Sequence, residues 1–213
     1  MRGFSPCIAK DKENPIVTQS ASWRNLLRDS SFFLLLLTFD RDLANQVRAK
    51  GCPHCGARLH FGRYERKPRG TPLGLPPEYD LRESLCCSAD GCRKRVLPPS
   101  LRFFGRRVYV APVFVLACVM IGGITEKRAA MLYELVGVTI RTLARWRAWW
   151  RKAFPPSTFW RAARARFALP VKESLLPASL LERFCQPAAS DHLLAVLRFL
   201  RPLTAGSNCP MDL

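Results

Sequence analysis

Four cysteines in two closely spaced pairs are the residues of this sequence best suited to metal chemistry. The pairs are Cys52-Pro-His-Cys55 and Cys87-Ser-Ala-Asp-Gly-Cys92, and each has a glycine in the turn or directly after it. Glycine permits the tight backbone turn that brings both sulfurs of a pair to one ion. Four thiolates spaced in this way are typical of a structural zinc site. The sequence therefore predicts that these cysteines bind zinc and hold a small β ribbon together.

The third ligand has an alternative, because Cys86 directly precedes Cys87. Neighbouring residues of a strand point to opposite faces, so only one of the two can reach the ion. The spacing to Cys92 favours Cys87, and Cys86 remains the candidate to replace it. His54 and His60 are further alternatives, although His54 lies between two ligands and is predicted to be exposed.

The charge of the chain indicates a polyanionic partner. The 213 residues include 34 basic and 16 acidic side chains, which gives a formal net charge of +18. Such an excess favours DNA, RNA or an acidic membrane face as the partner, although a highly charged solvated surface is the alternative. No acidic residue lies between Gly91 and Thr125, and Glu134 is the single acid from Lys127 to Lys172. The basic residues of the first of these stretches are Arg93, Lys94, Arg95, Arg102, Arg106 and Arg107.

The elements that must position these residues are mainly helical. The pattern predicts a mainly α chain with a small β zinc ribbon, followed by a helix-turn-helix unit of three helices and short C-terminal helices. A helix break is expected at Asp29-Ser30-Ser31. The predicted segments are a disordered N-terminus at 1–21, a leading helix at 22–50, the zinc ribbon with its basic tail at 51–107, the helix-turn-helix domain at 108–154, and a Pro-rich, short-helical region at 155–213.

The helix-turn-helix prediction depends on caps and on apolar spacing. Thr125 is typical of a helix start, Gly137 of a helix end, and Thr139 of a second start after a short turn. Tyr133 is an exception to the pattern, because a small residue usually lets the two helices approach. Apolar residues lie where two crossing helices would touch, and these are Leu132, Val136, Val138, Leu143 and Trp146.

The second of these helices is predicted to divide into an apolar face and a basic face. Ile140, Leu143 and Trp146 are expected on the face that packs against the protein. A recognition helix in the major groove needs such a division. The predicted DNA-binding residues are Arg141, Thr142, Arg145 and Lys152 of this helix, together with Arg93, Lys94, Arg95, Arg106 and Arg107 of the ribbon's tail.

The order of segments resembles the N-terminal region of bacterial insertion-sequence transposases that carry a zinc ribbon. The stretch FLLLLTFDRDLANQVRAKGCPHCG resembles their leading helix and first knuckle, and CCSADGCRKR resembles the second knuckle with its basic tail. GRRVYVAPVFVLACVMIGGITEKRAAMLYELVGVTIRTLARW resembles the helix and helix-turn-helix that follow. The resemblance covers residues 30–152. It implies recognition of transposon-end DNA, with zinc as a structural metal.

Those transposases continue into a catalytic domain whose acidic triad holds two divalent metals. The acids after Trp150 are Glu173, Glu182, Asp191 and Asp212, in short segments broken by proline. Two-metal phosphoryl transfer needs carboxylates that converge on one site. Together with the resemblance, this implies that the chain is not an enzyme but an accessory or regulatory DNA-recognition subunit of a mobile element. Double-stranded DNA is the expected partner, with a separate transposase or recombinase as a second candidate. The alternatives are an RNA- or ribosome-associated zinc-ribbon protein and a protein-interaction module with a structural zinc.

The expected location is the cytoplasm, in association with the nucleoid, with no membrane partner. The N-terminus lacks the apolar core of a signal peptide. The run Phe32–Leu37 is far shorter than the ~20 residues that a membrane helix needs, and 108–124 is predicted to be a buried helix. The nine cysteines of a cytosolic chain indicate metal binding rather than disulfides.

Overall fold

The computed structural model describes residues 15–120, 125–184 and 186–205, with side chains from residue 22 onward. The predicted class, mainly helical with a small antiparallel sheet, is confirmed. The helices are α1 Pro15–Arg28, α2 Ser30–Lys50, α3 Ala111–Val119, α4 Glu126–Val136, α5 Ile140–Ala148, α6 Thr158–Ala163, α7 Ala178–Leu181 and α8 Ala189–Leu200. The strands are β1 Leu59–Phe61, β2 Tyr64–Glu65, β3 Leu81–Arg82, β4 Leu85–Cys87 and β5 Arg95–Val96. Single turns of 3₁₀ or π helix lie at Pro77–Asp80, Trp149–Ala153, Arg164–Arg166, Glu173–Leu175 and Arg201–Thr204.

The predicted helix break occurs at Asp29. The carboxylate of Asp29 accepts a hydrogen bond from the Ser31 N–H at 2.9 Å and so caps the N-terminus of α2. Gly51 ends α2 with a positive φ of 77°. Helix α1 begins at Pro15, inside the segment predicted to be disordered, while residues 1–14 lie outside the described residues. Proline suits the first turn of a helix because its missing N–H would have no partner there.

The described residues divide into two compact units, each assembled from stretches that are distant in sequence. One unit contains the described parts of 1–28 and 112–198, and the other contains those of 29–111 and 199–213. We call the first the α5 unit and the second the cysteine unit. The predicted segments follow one another along the chain and do not predict this division. The predicted leading helix, for example, contributes α1 to one unit and α2 to the other.

Aromatic packing around Phe114 forms the centre of the α5 unit. Its ring lies 5.3 Å from that of Trp146, 5.4 Å from that of Trp149 and 5.4 Å from that of Trp150, measured between centroids. Phe114 belongs to α3, whose residues are almost wholly buried. Predicted as a buried helix, α3 ends at Val119, and residues 121–124 lie outside the described part.

Among the described residues, no helix is both long enough and apolar enough to cross a membrane.

The cysteine unit is built from α2 and two small antiparallel sheets. The larger sheet has the strand order β1-β4-β5, and the smaller pairs β2 with β3. In the larger sheet Leu59 is the partner of Cys87, and His60 is the partner of Cys86. The buried face of α2 presents Phe32, Phe33, Leu36, Leu37, Asp40, Leu43 and Ala44.

A fully buried ion pair joins α2 to the loop before α3. Arg102 Nε donates to Asp40 Oδ2 at 2.9 Å, and both side chains are completely inaccessible to solvent. Asp40 also accepts from the Ser100 hydroxyl and from the Leu101 N–H. Arg102 donates in addition to the carbonyl oxygens of Tyr79 and Leu81. In the sequence Arg102 is one of the basic residues of the acid-free stretch 91–125. Its buried contacts show that it is a structural residue.

We expect the replacement Asp40→Asn to destabilise the cysteine unit strongly. Removing one partner leaves a buried guanidinium without its counter-charge, which costs about 3–5 kcal/mol. Urea unfolding followed by far-ultraviolet circular dichroism measures the loss. Asp42→Asn, the same change at an exposed position of α2, is the matched control and should shift stability by less than about 0.5 kcal/mol. Equal stability of the two variants would contradict the structural role of the pair.

Candidate metal centre

Four sulfur atoms converge in the cysteine unit. The Sγ atoms of Cys52, Cys55, Cys87 and Cys92 all lie within 4.8 Å of one another. The Cys52–Cys92 separation is 3.8 Å, and the Cys55–Cys87 separation is 3.4 Å. A tetrahedral ion with bonds of about 2.3 Å to sulfur requires sulfurs about 3.8 Å apart, whereas a disulfide bond requires about 2.05 Å. The cysteines are free thiols, so the cluster fits a metal ion and not a pair of disulfides.

The end of α2 and a tight loop position the first pair. The Cys52 N–H donates to the Ala57 carbonyl at 2.8 Å, and the Gly56 N–H donates to the Cys52 carbonyl at 2.8 Å. These two bonds fold the loop back so that Cys52 and Cys55 share one side. Gly51 is required at the start, because its φ is +77° and an added Cβ would lie 2.8 Å from the Gly56 carbonyl oxygen.

Strand pairing and a turn position the second pair. The Cys87 N–H donates to the Lys94 carbonyl at 3.0 Å, and the Cys92 N–H donates to the Ala89 carbonyl at 3.0 Å. Cys87 is buried in a small apolar cluster with Cys52, Leu59 and Leu85, against which Val47, Ala57, Ala89, Cys92 and Val96 pack. A core of this size stabilises little by itself, so a bound ion would add most of the cohesion of this region.

The structure brings Cys87, and not Cys86, into the cluster. Cys86 lies on the opposite face of β4, where a Cβ added at Gly62 would be 3.0 Å from its sulfur. His54 and His60 are both exposed. The alternation of side chains along a strand therefore resolves the choice that the spacing alone left open.

Hydrogen bonding and crowding set the thiol pKa values in opposite directions. The backbone N–H of His54 lowers the pKa of Cys52 to about 7. At Cys55 the N–H of Ala57 lowers the pKa, but the thiols of Cys87, Cys92 and Cys52, with burial, outweigh it and raise the pKa to about 12. Sulfurs this close cannot ionise together without a cation between them, and a coordinated metal would supply that charge.

These shifts predict that metal affinity falls as pH falls. Cys55 must lose a proton to bind metal at any pH below about 12, and this one proton alone weakens binding about tenfold for each pH unit of acidification. Below about pH 7 Cys52 must also lose a proton before it binds, so metal affinity falls more steeply with pH in that range. Competition titrations with a chromophoric chelator from pH 6 to 8 measure the slope. Affinity that does not change with pH would show that the thiols are not the ligands.

A pair of serine variants tests which neighbouring cysteine is the ligand. We expect Cys87→Ser to reduce bound metal well below the about one ion per chain that a tetrahedral site holds. Cys86→Ser should leave the metal content unchanged, because its sulfur lies on the other face of β4. Inductively coupled plasma mass spectrometry of the purified proteins gives the count. The reverse result would place Cys86 in the site.

The predicted DNA-binding residues fall into two sets in different units. In the cysteine unit Arg93, Lys94, Arg95 and Arg106 are exposed and Arg107 is half-buried. In the α5 unit Arg141, Arg145 and Lys152 are exposed, and Thr142 is half-buried with its hydroxyl 3.1 Å from that of Thr139.

A basic and aromatic surface beside the β1 strand was not predicted. The guanidinium carbon of Arg48 lies 5.2 Å from the centroid of the Phe61 ring, and that of Arg63 lies 4.9 Å from it. Arg48 also donates to the Leu59 carbonyl, and Arg63 to Glu83. No sequence motif signals this grouping, because its members meet only when α2 packs against the sheet.

The predicted division of α5 into an apolar and a basic face is wrong at Ile140. Leu143 and Trp146 are buried as predicted, with 0% and 1% of their surface exposed, but Ile140 is 48% exposed. Tyr133, the exception to the predicted pattern, is 60% exposed. The apolar residues predicted to lie between the two helices are all buried, namely Leu132, Val136, Val138, Leu143 and Trp146.

Comparisons with protein-family models, with characterised proteins and with solved structures find no match to this chain. The resemblance to transposases accordingly remains a prediction.

Proposed function

We propose that the protein is a zinc-containing DNA-binding protein in which the cysteine cluster is structural and α5 reads the major groove. The observation that carries the proposal is the exposed, acid-free basic face of α5 on a helix whose Leu143 and Trp146 are buried, with Trp146 against Phe114 of α3. That arrangement gives a rigid helix whose free side is complementary to a polyanion.

The connection between α4 and α5 supports a helix-turn-helix interpretation. Thr125 caps the start of α4 through the Arg128 N–H, and Gly137 ends it in the left-handed region at φ 68°. Thr139 caps α5 through the Thr142 N–H. Between the helices lies buried Val138, which is 1% exposed. A short turn with a buried apolar residue is typical of the DNA-binding motif.

The charge on α5 supports a nucleic-acid partner. Arg141 and Arg145 are exposed and lie four residues apart, hence on one face. Burial lowers the pKa of Arg147, and the positive charge of Arg151 lowers it further, as expected where cations cluster. Arginine forks pair with phosphate oxygens and with guanine edges.

The ligand set supports zinc in a structural role. Four thiolates are soft donors, and a tetrahedral four-sulfur set is typical of structural zinc. A catalytic zinc site keeps one position open for water or substrate, whereas four protein ligands would fill the coordination sphere. We therefore assign the ion to holding the loop of Cys52 and Cys55 against β4.

The proposed biological setting is that of an accessory or regulatory subunit of a mobile element. It is supported by the resemblance of residues 30–152 to transposase DNA-binding regions. Under this proposal the protein recognises DNA, and the strand-transfer chemistry belongs to a separate transposase or recombinase.

Replacing arginines of α5 should weaken duplex binding. We expect Arg141→Ala and Arg145→Ala each to cost about 1–3 kcal/mol if the side chains touch bases. Arg161→Ala, at an exposed position of α6, is the matched control and should act weakly. Fluorescence anisotropy with a duplex selected from a random pool, repeated at several salt concentrations, measures the change.

Three results would redirect the proposal. Unchanged binding of both α5 variants would move the interface to the tail of Arg93, Lys94 and Arg95. Tighter binding of RNA than of duplex DNA would favour the RNA-associated alternative. Weak binding that does not depend on salt would favour a protein-interaction module, because phosphate contacts release counterions.

A further inference from the structure

The exposed face of α5 combines an apolar row with a basic row. Ile140 is 48% exposed, and Ala144 and Ala148 follow it at intervals of four residues, both exposed. Positions four apart on a helix lie above one another, so these three side chains form one stripe. Arg141 and Arg145, each one position later, form the stripe beside it.

The position of Ile140 distinguishes it from an ordinary exposed aliphatic residue. Single apolar side chains on a surface are common and do not by themselves indicate a binding site. Ile140, however, directly follows the N-cap Thr139, and the N-terminal residues of a recognition helix are those that contact base edges. The sequence of α5, IRTLARWRA, contains no acid that would repel a phosphate backbone.

We infer that the apolar row reads the 5-methyl group of thymine, an inference that rests on the proposed function. In the major groove a T·A pair differs from the others in presenting this methyl, and isoleucine and alanine side chains can contact it. The small side chains of Ala144 and Ala148 let the helix backbone lie close to the groove floor. Arg141 and Arg145 stand beside the row, where they can pair with guanine. The preferred site therefore combines T·A with neighbouring G·C pairs.

The test uses uracil, which differs from thymine only by lacking that methyl. The zinc-loaded full chain selects duplexes from a random pool, and the enriched duplex is then synthesised with deoxyuridine at each thymidine in turn. We expect about fourfold weaker binding for each contacted methyl removed. Ile140→Ala should bind the thymine duplex more weakly and lose the discrimination at the position that Ile140 contacts. Leu169→Ala, at a position 51% exposed outside α5, is the control and should keep it.

The outcomes separate this inference from the proposed function. An enriched motif that binds equally well with uracil at every position overturns thymine reading and leaves DNA recognition standing. Failure to enrich any duplex overturns both. A change of oligomeric state on Ile140→Ala in sedimentation velocity, with uracil discrimination intact, assigns Ile140 to self-association and overturns the inference. Unchanged thermal unfolding of Ile140→Ala, expected because the side chain is half exposed, excludes misfolding as a cause.

Discussion

The buried pair of Asp40 and Arg102 is the interaction on which the cysteine unit depends. A charge without water is tolerated only when its partner and its hydrogen bonds are all in place. The Arg102 guanidinium meets that requirement through the Tyr79 and Leu81 carbonyls as well as Asp40. It thereby fixes α2, the 77–81 segment and the loop before α3 in one arrangement. The same helix α2 ends at Gly51, so the placement of the cysteine loop follows from how this pair holds α2.

Local features of the fold could be predicted from the sequence, because each depends on a few neighbouring residues. The break at Asp29, the caps at Thr125, Thr139 and Gly137, and the two cysteine pairs belong to this class. Features that depend on distant contacts could not. Asp40 and Arg102 meet across 62 positions, and nothing near either of them marks a buried charge. Periodicity grouped Ile140 with Leu143 and Trp146, but a helix pattern does not show which turns of the helix its neighbours cover, and Ile140 is exposed.

The two halves of the proposed function lie in different units. A metal ion bound by the cysteine cluster would stabilise β1, β4 and the end of α2, where the apolar core is small. The exposed face of α5 is positioned instead by aromatic packing around Phe114. The proposed metal binding and the proposed base reading therefore depend on separate packing.

The aromatic packing has a spectroscopic consequence. All five tryptophans of the chain, at positions 23, 146, 149, 150 and 160, are buried in the α5 unit. The cysteine unit contains none, and its aromatic side chains are phenylalanine and tyrosine. Tryptophan emission consequently arises from the α5 unit alone, while phenylalanine and tyrosine are the fluorescent side chains of the cysteine unit. The two units thus carry distinguishable optical signatures within one unlabelled polypeptide.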